Sequence, residues 1–401
     1  MDPIIVIISL SQAFARRIAM SFFALFLLIP TFALGAPIPV ELFDHTLSLV
    51  KKNFYDQTFR GLPWDTLVTE KREKISTHTT DQKLSETING LLSLLQASHT
   101  AFLTSEDQEY YALKSVFANQ LDGFPYCTIG AWFERKDGAW FVRSVFSESP
   151  ADKAGILSGD EVISINDQPI EPVQSFDCET RKSYKIKVKH TRGGQSFEFT
   201  ISPQIFAPQR ALLNSTISSR RVFNFSGKRI GYFHLWSGTH DSFKEELASA
   251  AKFFEENSDS LILDLRDGLG GAHPGYLNPF FNHDEEGNPI PKQYTKPLIV
   301  LINEGVRSGK EWIASLLKTS HRGILVGSRT RGYFLAGKLF DILPSRFALY
   351  LAVAEFKPGG IDLEGKGVSP DIEVPFDFRY ANGADPQLQG AIKEAIAGLR
   401  N

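Results

Sequence analysis

Cysteine and methionine are nearly absent: two of each occur in 401 residues, against 32 phenylalanines. So few cysteines form no cluster that would hold zinc or an iron–sulfur centre. A basic excess is also lacking. Lys and Arg number 43 against 46 Asp and Glu, a formal net charge of −3. Without a basic footprint, nucleic acid is excluded as the main partner. There is no internal repeat and no low-complexity tract. What remains, 42% hydrophobic and 22% charged residues, is the composition of a globular protein with aromatic cores. The length suggests two or three domains.

The N-terminus carries an address. Arg16 and Arg17 precede the apolar run "IAMSFFALFLLIPTFALG", which ends in small residues before "APIP". Positive charge, a short apolar segment and an Ala33-x-Gly35 pattern describe a secretory signal peptide over residues 1–35. A membrane anchor needs about 20 apolar residues. The expectation is therefore cleavage before Ala36 and a periplasmic or secreted protein with no stable anchor. Export to an oxidising compartment would allow Cys127 and Cys178 to pair; two separate buried thiols fit the sequence equally.

Residues 36–118 read as a helical region. In "PVELFDHTLSLVKKNFYD", Leu42, Phe43, Leu47, Val50 and Phe54 fall near helical spacing. "SETINGLLSLLQAS" repeats the habit and ends in "SHTAFLTSED". Residues 119–206 change to short strands and turns. "FVRSVF" alternates like a strand, "SPADKAGI" is a short helix opened by Ser149 and Pro150, and "EVISIN" is a further strand. The stretch "SPADKAGILSGDEVISINDQPI" resembles a PDZ domain. That resemblance implies peptide binding by strand addition. It places a carboxylate-binding loop at Thr128, Ile129, Gly130 and Ala131, and a helix over "EPVQSFDCETR". A PDZ-like fold that only props its neighbour is the alternative. Residues 207–401 alternate strands ("RIGYFHL", "SLILDLR", "PLIVLIN", "GILVGS") with helices, which predicts an α/β domain with a partly parallel sheet.

In such sheets reactive groups gather beyond the carboxyl ends of the strands. Two strand ends stand out. "LILDLRDGLGGAHPG" places glycines past one strand, off the dinucleotide spacing. They suit either a tight turn or an oxyanion hole. In "PLIVLINEGVRSGKEW", Ser308 stands between strand and helix, where a serine is either an N-cap or a nucleophile. The elbow G-x-S-x-G is absent, which excludes an α/β-hydrolase. Asp264 and Arg266 in "LDLR" read as a structural buried pair. His273, His283 and Asp284 are too scattered for a metal site, and no cofactor is required.

The order "SHT", PDZ-like stretch, "LILDLRDGLGG", "NEGVRSGKEW", "GSRTRGY", "LEGKGVSPDIEV" resembles the S41 peptidases, which include the C-terminal processing (tail-specific) proteases and the tricorn core protease. The resemblance implies a ClpP/crotonase-like mixed sheet in the α/β domain, with the PDZ-like domain inserted after the helical region. It makes Ser308 the nucleophile of a peptidase acting on protein or peptide substrates. The processing enzymes use a Ser–Lys dyad, and here Tyr333 stands where the lysine belongs. The tricorn branch uses Ser–His–Glu with an additional serine, which corresponds to Ser308, His99, Glu364 and Ser98. Gly309 with Gly270 or Gly271 would then bind the oxyanion. Two alternatives stay open: an inactive fold that binds peptides or apolar ligands, and a dyad using a shifted lysine, Lys338 or Lys310.

Overall fold

The computed structural model describes residues 38–399 apart from 181, 226 and 344, so the expected signal peptide lies outside the described residues. In chain order the elements are α1 (Pro39–Asn53), α2 (Trp64–Arg72), α3 (Asp81–Leu94), β1 (Ala101–Thr104) and α4 (Gln108–Phe117). Next come β2 (Tyr126–Thr128), β3 (Ala131–Lys136), β4 (Ala139–Val145), α5 (Pro150–Ala154), β5 (Glu161–Ile165), β6 (Tyr184–Lys189), β7 (Phe197–Ile201) and β8 (Gln204–Phe206). The remainder is α6 (Pro208–Ser218), β9 (Arg221–Phe225), β10 (Lys228–His234), α7 (Asp241–Asn257), β11 (Ser260–Asp264), β12 (Leu298–Ile302), α8 (Gly309–Thr319), β13 (Ile324–Gly327), β14 (Ala336–Leu343), β15 (Phe347–Ala354), β16 (Ile372–Glu373) and α9 (Pro386–Ala397).

The central sheet has the order β16-β13-β12-β11-β10-β9. Its pairings are parallel except β9 with β10. Both faces are covered, which explains why "SLILD" and "LIVLI" are continuous apolar runs rather than alternating ones. Leu261, Leu263, Val300 and Ile302 face α7 and α8, packing with Phe243, Leu247, Phe254, Ile313 and Leu317. Ile262, Ile299 and Leu301 face the other way, onto Ala391 and Ala395 of α9. Each such side chain contributes about 1.5–3 kcal/mol on burial.

The helical reading of the N-terminal region holds for α1 to α4, but that region is not self-contained. Its β1 joins a three-stranded antiparallel sheet, β1-β15-β14, with Ala101 opposite Tyr350. Helix α1 buries Leu42, Phe43, Leu47 and Val50, and α3 buries Leu84, Ile88 and Leu91, against Phe347, Leu349 and Leu351 of β15. "SHT" is thereby delivered to the C-terminal part of the chain.

The inserted β domain is a five-stranded antiparallel sheet, β3-β4-β5-β6-β7, closed by α5. Ser149 caps α5 through Asp152 N–H at 3.2 Å, with Pro150 in the first turn. The entering and leaving strands, β2 and β8, pair with each other. Cys127 on β2 is disulfide-bonded to Cys178. The expected helix over residues 171–181 is a correction: from Glu171 to Thr180 the chain forms turns. Single-turn bonds such as Ser175 N–H to Glu171 O, 2.9 Å, the disulfide at Cys178 and a bond from Asp177 N–H to Tyr184 Oη, 2.9 Å, hold it.

Candidate active site

Ser308 follows β12 and Asn303–Arg307 and opens α8. Its backbone is strained for a residue with a side chain, φ +56° and ψ −132°. Two contacts hold it there: Ser308 N–H donates to Tyr333 O at 2.8 Å and to Glu311 Oε2 at 3.1 Å. Glu311 N–H donates to the Ser308 carbonyl at 2.8 Å, and the hydroxyl makes no well-formed cap bond. The cap reading of Ser308 is thus met by main chain and Glu311, leaving Oγ at the positive end of a helix.

Glu311 was not singled out from sequence, although the S-x-x-E capping-box signature (Ser308, Gly309, Lys310, Glu311) was present to find it. It is fully buried. Besides Ser308 N–H, its carboxylate accepts from Thr330 Oγ1 at 2.6 Å, Gly332 N–H at 2.6 Å and Tyr333 N–H at 2.9 Å. One side chain therefore anchors the whole "TRGY" segment to the start of α8.

Two glycines adjoin the serine. A Cβ on Gly270 would stand 2.6 Å from Ser308 Cβ, so only glycine lets that loop approach. Gly309 is pressed as tightly on Ala272. Gly271 faces Thr239 instead. Beneath them, Lys310 is fully buried. Its ammonium donates to the carbonyls of Leu235 (3.2 Å), Trp236 (3.4 Å) and Asp267. Burial pushes its pKa down to about 7, against the opposing charges of Asp267 and Asp264. Lys310 is thus committed to tying the loops that carry the glycines. Lys338 is exposed on the edge strand β14, its ammonium 5.0 Å from the ring centroid of Phe340.

His99, Ser98 and Glu364 are brought together. Ser98 Oγ lies 2.8 Å from His99 Nδ1 and 2.8 Å from Glu364 Oε2. Leu335 N–H donates to the same Oγ at 3.3 Å. Glu364 further accepts from Ser98 N–H (3.0 Å) and Phe334 N–H (2.7 Å). A hydroxyl has one proton and two lone pairs. The arrangement that uses all three gives the O–H to the carboxylate and lone pairs to Leu335 N–H and His99 Nδ1–H. The imidazole then carries its proton on Nδ1 and leaves Nε2 bare. Ser98 thus contacts both groups, and the carboxylate reaches the imidazole through its hydroxyl.

His99 also has a positive φ, +54°, and is buried, with its ring 5.3 Å from that of Tyr350 and 6.3 Å from that of Tyr333. Burial first, and Arg307 second, lower its pKa from 6.5 to about 4. No hydrogen bond joins His99 to Ser308 among the described residues. Both are tied to one extended segment, since Tyr333 O serves Ser308 while Phe334 and Leu335 N–H serve Glu364 and Ser98.

The expected peptide loop is closed. Thr128, Ile129 and Ala131 are fully buried. Gly130 N–H donates to Thr128 Oγ1 at 3.3 Å, and the Ile129 and Gly130 carbonyls accept from Ala151 and Phe146, both at 2.9 Å. The Ala131 carbonyl accepts from Gln108 Nε2 at 3.0 Å. Of the N–H donors a carboxylate would need, that of Gly130 is thus engaged inside the domain. Among the described residues no group of His, Cys, Asp and Glu is arranged to hold a metal ion.

Comparison with known proteins agrees with this architecture. The family model for peptidase family S41 matches residues 229–374, and that for the PDZ domain matches residues 127–202. A carboxyl-terminal-processing protease of Synechocystis is 24% identical over 379 residues, covering 88% of this chain and 85% of its own. Tricorn protease homolog 1 of Streptomyces coelicolor is 24% identical over 406 residues, covering 90% of this chain and 35% of its own. In fold, the chain is similar to the solved photosystem II D1 C-terminal processing protease, with a TM-score of 0.52 at 20% identity, covering 88% of this chain and 99% of the other. The chain is thus similar to peptidase family S41 over the stretch that includes Ser308 and Glu364, with a PDZ-domain match ahead of it.

Proposed function

We propose that this chain is a serine endopeptidase in which Ser308 is the nucleophile and His99 the base. Ser308 Oγ attacks the scissile carbonyl and His99 Nε2 takes its proton, later giving it to the leaving amine. Ser98 and Glu364 hold the imidazole in the Nδ1–H tautomer. The Gly309 amide and the Gly270 loop receive the oxyanion, helped by the N-terminus of α8. The single observation that carries the reading is the placement of Ser98 Oγ between His99 Nδ1 and Glu364 Oε2. The nucleophile and base are not bonded to each other, in keeping with catalytic contacts that tighten only around substrate.

A fluorophosphonate probe tests the assignment. Labelling of the wild type is expected at Ser308, lost in Ser308→Ala and His99→Ala, and unchanged in Lys338→Ala. A wild type that resists the probe under all conditions overturns the catalytic reading. Loss in Lys338→Ala with retention in His99→Ala moves the base to the lysine.

The depressed pKa of His99 makes a further prediction. With a pKa of about 4, the base stays neutral throughout the mildly acidic range. The free-enzyme kcat/KM is therefore expected to hold from neutrality down to about pH 4 and fall below it. Stability has the same sign: the unfolded chain takes up this proton near 6.5, so His99's contribution is present above that pH and is lost as pH falls toward 4. An acid limb centred near 6.5 in a peptide-cleavage profile assigns the base to another group.

We further propose that the enzyme works in an oxidising exported compartment, periplasmic or extracellular. The leader pattern ending at Gly35 and the Cys127–Cys178 disulfide support this. Among the described residues no helix is long and apolar enough to cross a membrane.

A further inference from the structure

Between the nucleophile loop and the inserted domain lies a cavity of about 240 Å³. Its walls include Trp132, Phe146, Leu212 and Trp236, and it is bordered by Arg307 and Arg331. Sites for drug-sized ligands measure about 300–1,000 Å³, so this one suits a side chain or a chain end. Most of its charges are spent on one another. Arg307 pairs with Glu109 at 2.9 Å. Arg143 pairs with Asp267, with Glu304 at 3.0 Å and with Glu134 at 3.7 Å.

Arg331 is the exception. Among the described residues its guanidinium has no carboxylate partner; its neighbour is the ring of Tyr333, 5.0 Å from the centroid. Both side chains are exposed. The backbone beneath them is fixed, because Arg331 N–H donates to Val306 O at 3.3 Å and Tyr333 O accepts from Ser308 N–H at 2.8 Å. An unspent cation is thereby carried at the border of the cavity by a segment whose backbone is bonded to the Val306–Ser308 loop.

We infer that this cavity is a substrate subsite for a carboxylate, held by Arg331. The carboxylate belongs either to an acidic side chain close to the scissile bond or to the free C-terminus of the peptide. The inference rests on Ser308 being the nucleophile. A guanidinium takes a carboxylate through two parallel hydrogen bonds, and stacking on an aromatic face orients it beforehand.

The test is a positional set of internally quenched Ala/Leu decapeptides carrying Glu, Gln or Lys at each position in turn. Each is made with a free and an amidated C-terminus. For the full-length wild type, Glu over Gln at one position, or free over amidated terminus, is expected to raise kcat/KM on the order of tenfold. Arg331→Ala is expected to abolish that preference, the ratio of kcat/KM for the Glu and Gln peptides falling to about one, and Arg331→Glu to turn it toward Lys. Which pair discriminates identifies the source of the carboxylate. Affinity of Ser308→Ala for the same peptides, read by fluorescence anisotropy, reports the discrimination without turnover. Absence of any charge preference in both readouts, or its survival in Arg331→Ala, overturns the subsite. Failure of wild-type Ser308 to take the fluorophosphonate probe, with the binding preference intact, overturns the catalytic reading instead.

Discussion

Replacing His99 with alanine is expected to lower kcat for peptide cleavage by on the order of 10⁴–10⁶-fold with little change in KM, since a base acts in the transition state rather than in binding. The same logic extends to its supports. In Glu364→Gln an amide can donate to Ser98 Oγ. Ser98 then turns its own proton toward His99 Nδ1 and forces the proton of the neutral ring onto Nε2. That is the tautomer unable to accept from Ser308, and the loss in kcat is expected to be about 10⁴-fold, as for other wrong-tautomer lesions. Ser98→Ala removes the link altogether and is expected to be comparable. Steady-state kinetics on the three variants decide the point. Near-wild-type kcat in Glu364→Gln, with the fold intact by circular dichroism, removes the relay from the mechanism.

The second large effect concerns stability. Asp264→Asn is expected to cost about 3–5 kcal/mol, the usual penalty for breaking one side of a buried ion pair. Asp264 is fully buried. It accepts from Tyr232 Oη at 2.8 Å and from Arg266 Nη2 at 2.7 Å. Arg266 also reaches Asp385 Oδ2 at 2.8 Å, while its carbonyl contacts His234 Nε2 at 2.8 Å. Burial raises the Asp264 pKa, but the charge of Arg266 outweighs it and leaves the group well below the usual carboxylate range. Its contribution is therefore present above an ordinary aspartate pKa and is lost in stronger acid. Urea unfolding at pH 7 measures the cost. A double Asp264→Leu, Arg266→Met variant is expected to recover part of it, because the buried pair is removed together and only Asp385, which is partly exposed, loses its partner. A single variant within 1 kcal/mol of wild type contradicts the account.

Local chemistry in the sequence pointed to the right parts but not to their joints. The runs "SLILD" and "LIVLI", the cap Ser149-Pro150 and the strand–helix joint at Ser308 are short-range patterns, and each appears where its pattern places it. The meeting of Ser98 with Glu364 spans 266 residues. It depends on β1 pairing with β15, which no periodicity encodes. One misreading has another cause. The helix expected over residues 171–181 was carried over from a resemblance, whereas here that stretch forms turns. Glu311 is the opposite case: its capping-box signature with Ser308 is local, but its bonds to Thr330, Gly332 and Tyr333 reach about 20 residues along the chain, and no local pattern encodes those.

The segment Tyr333–Leu335 has a consequence for how such a site can change over generations. Its three contacts with Ser308, Glu364 and Ser98, through Tyr333 O, Phe334 N–H and Leu335 N–H, all come from its main chain. The side chain at 333 is therefore not needed to keep the nucleophile and the histidine half in register. A lineage could exchange a lysine for a tyrosine there without moving either half. Two catalytic chemistries can then share one scaffold, because the alignment is inherited from the backbone and the reactive group is chosen separately.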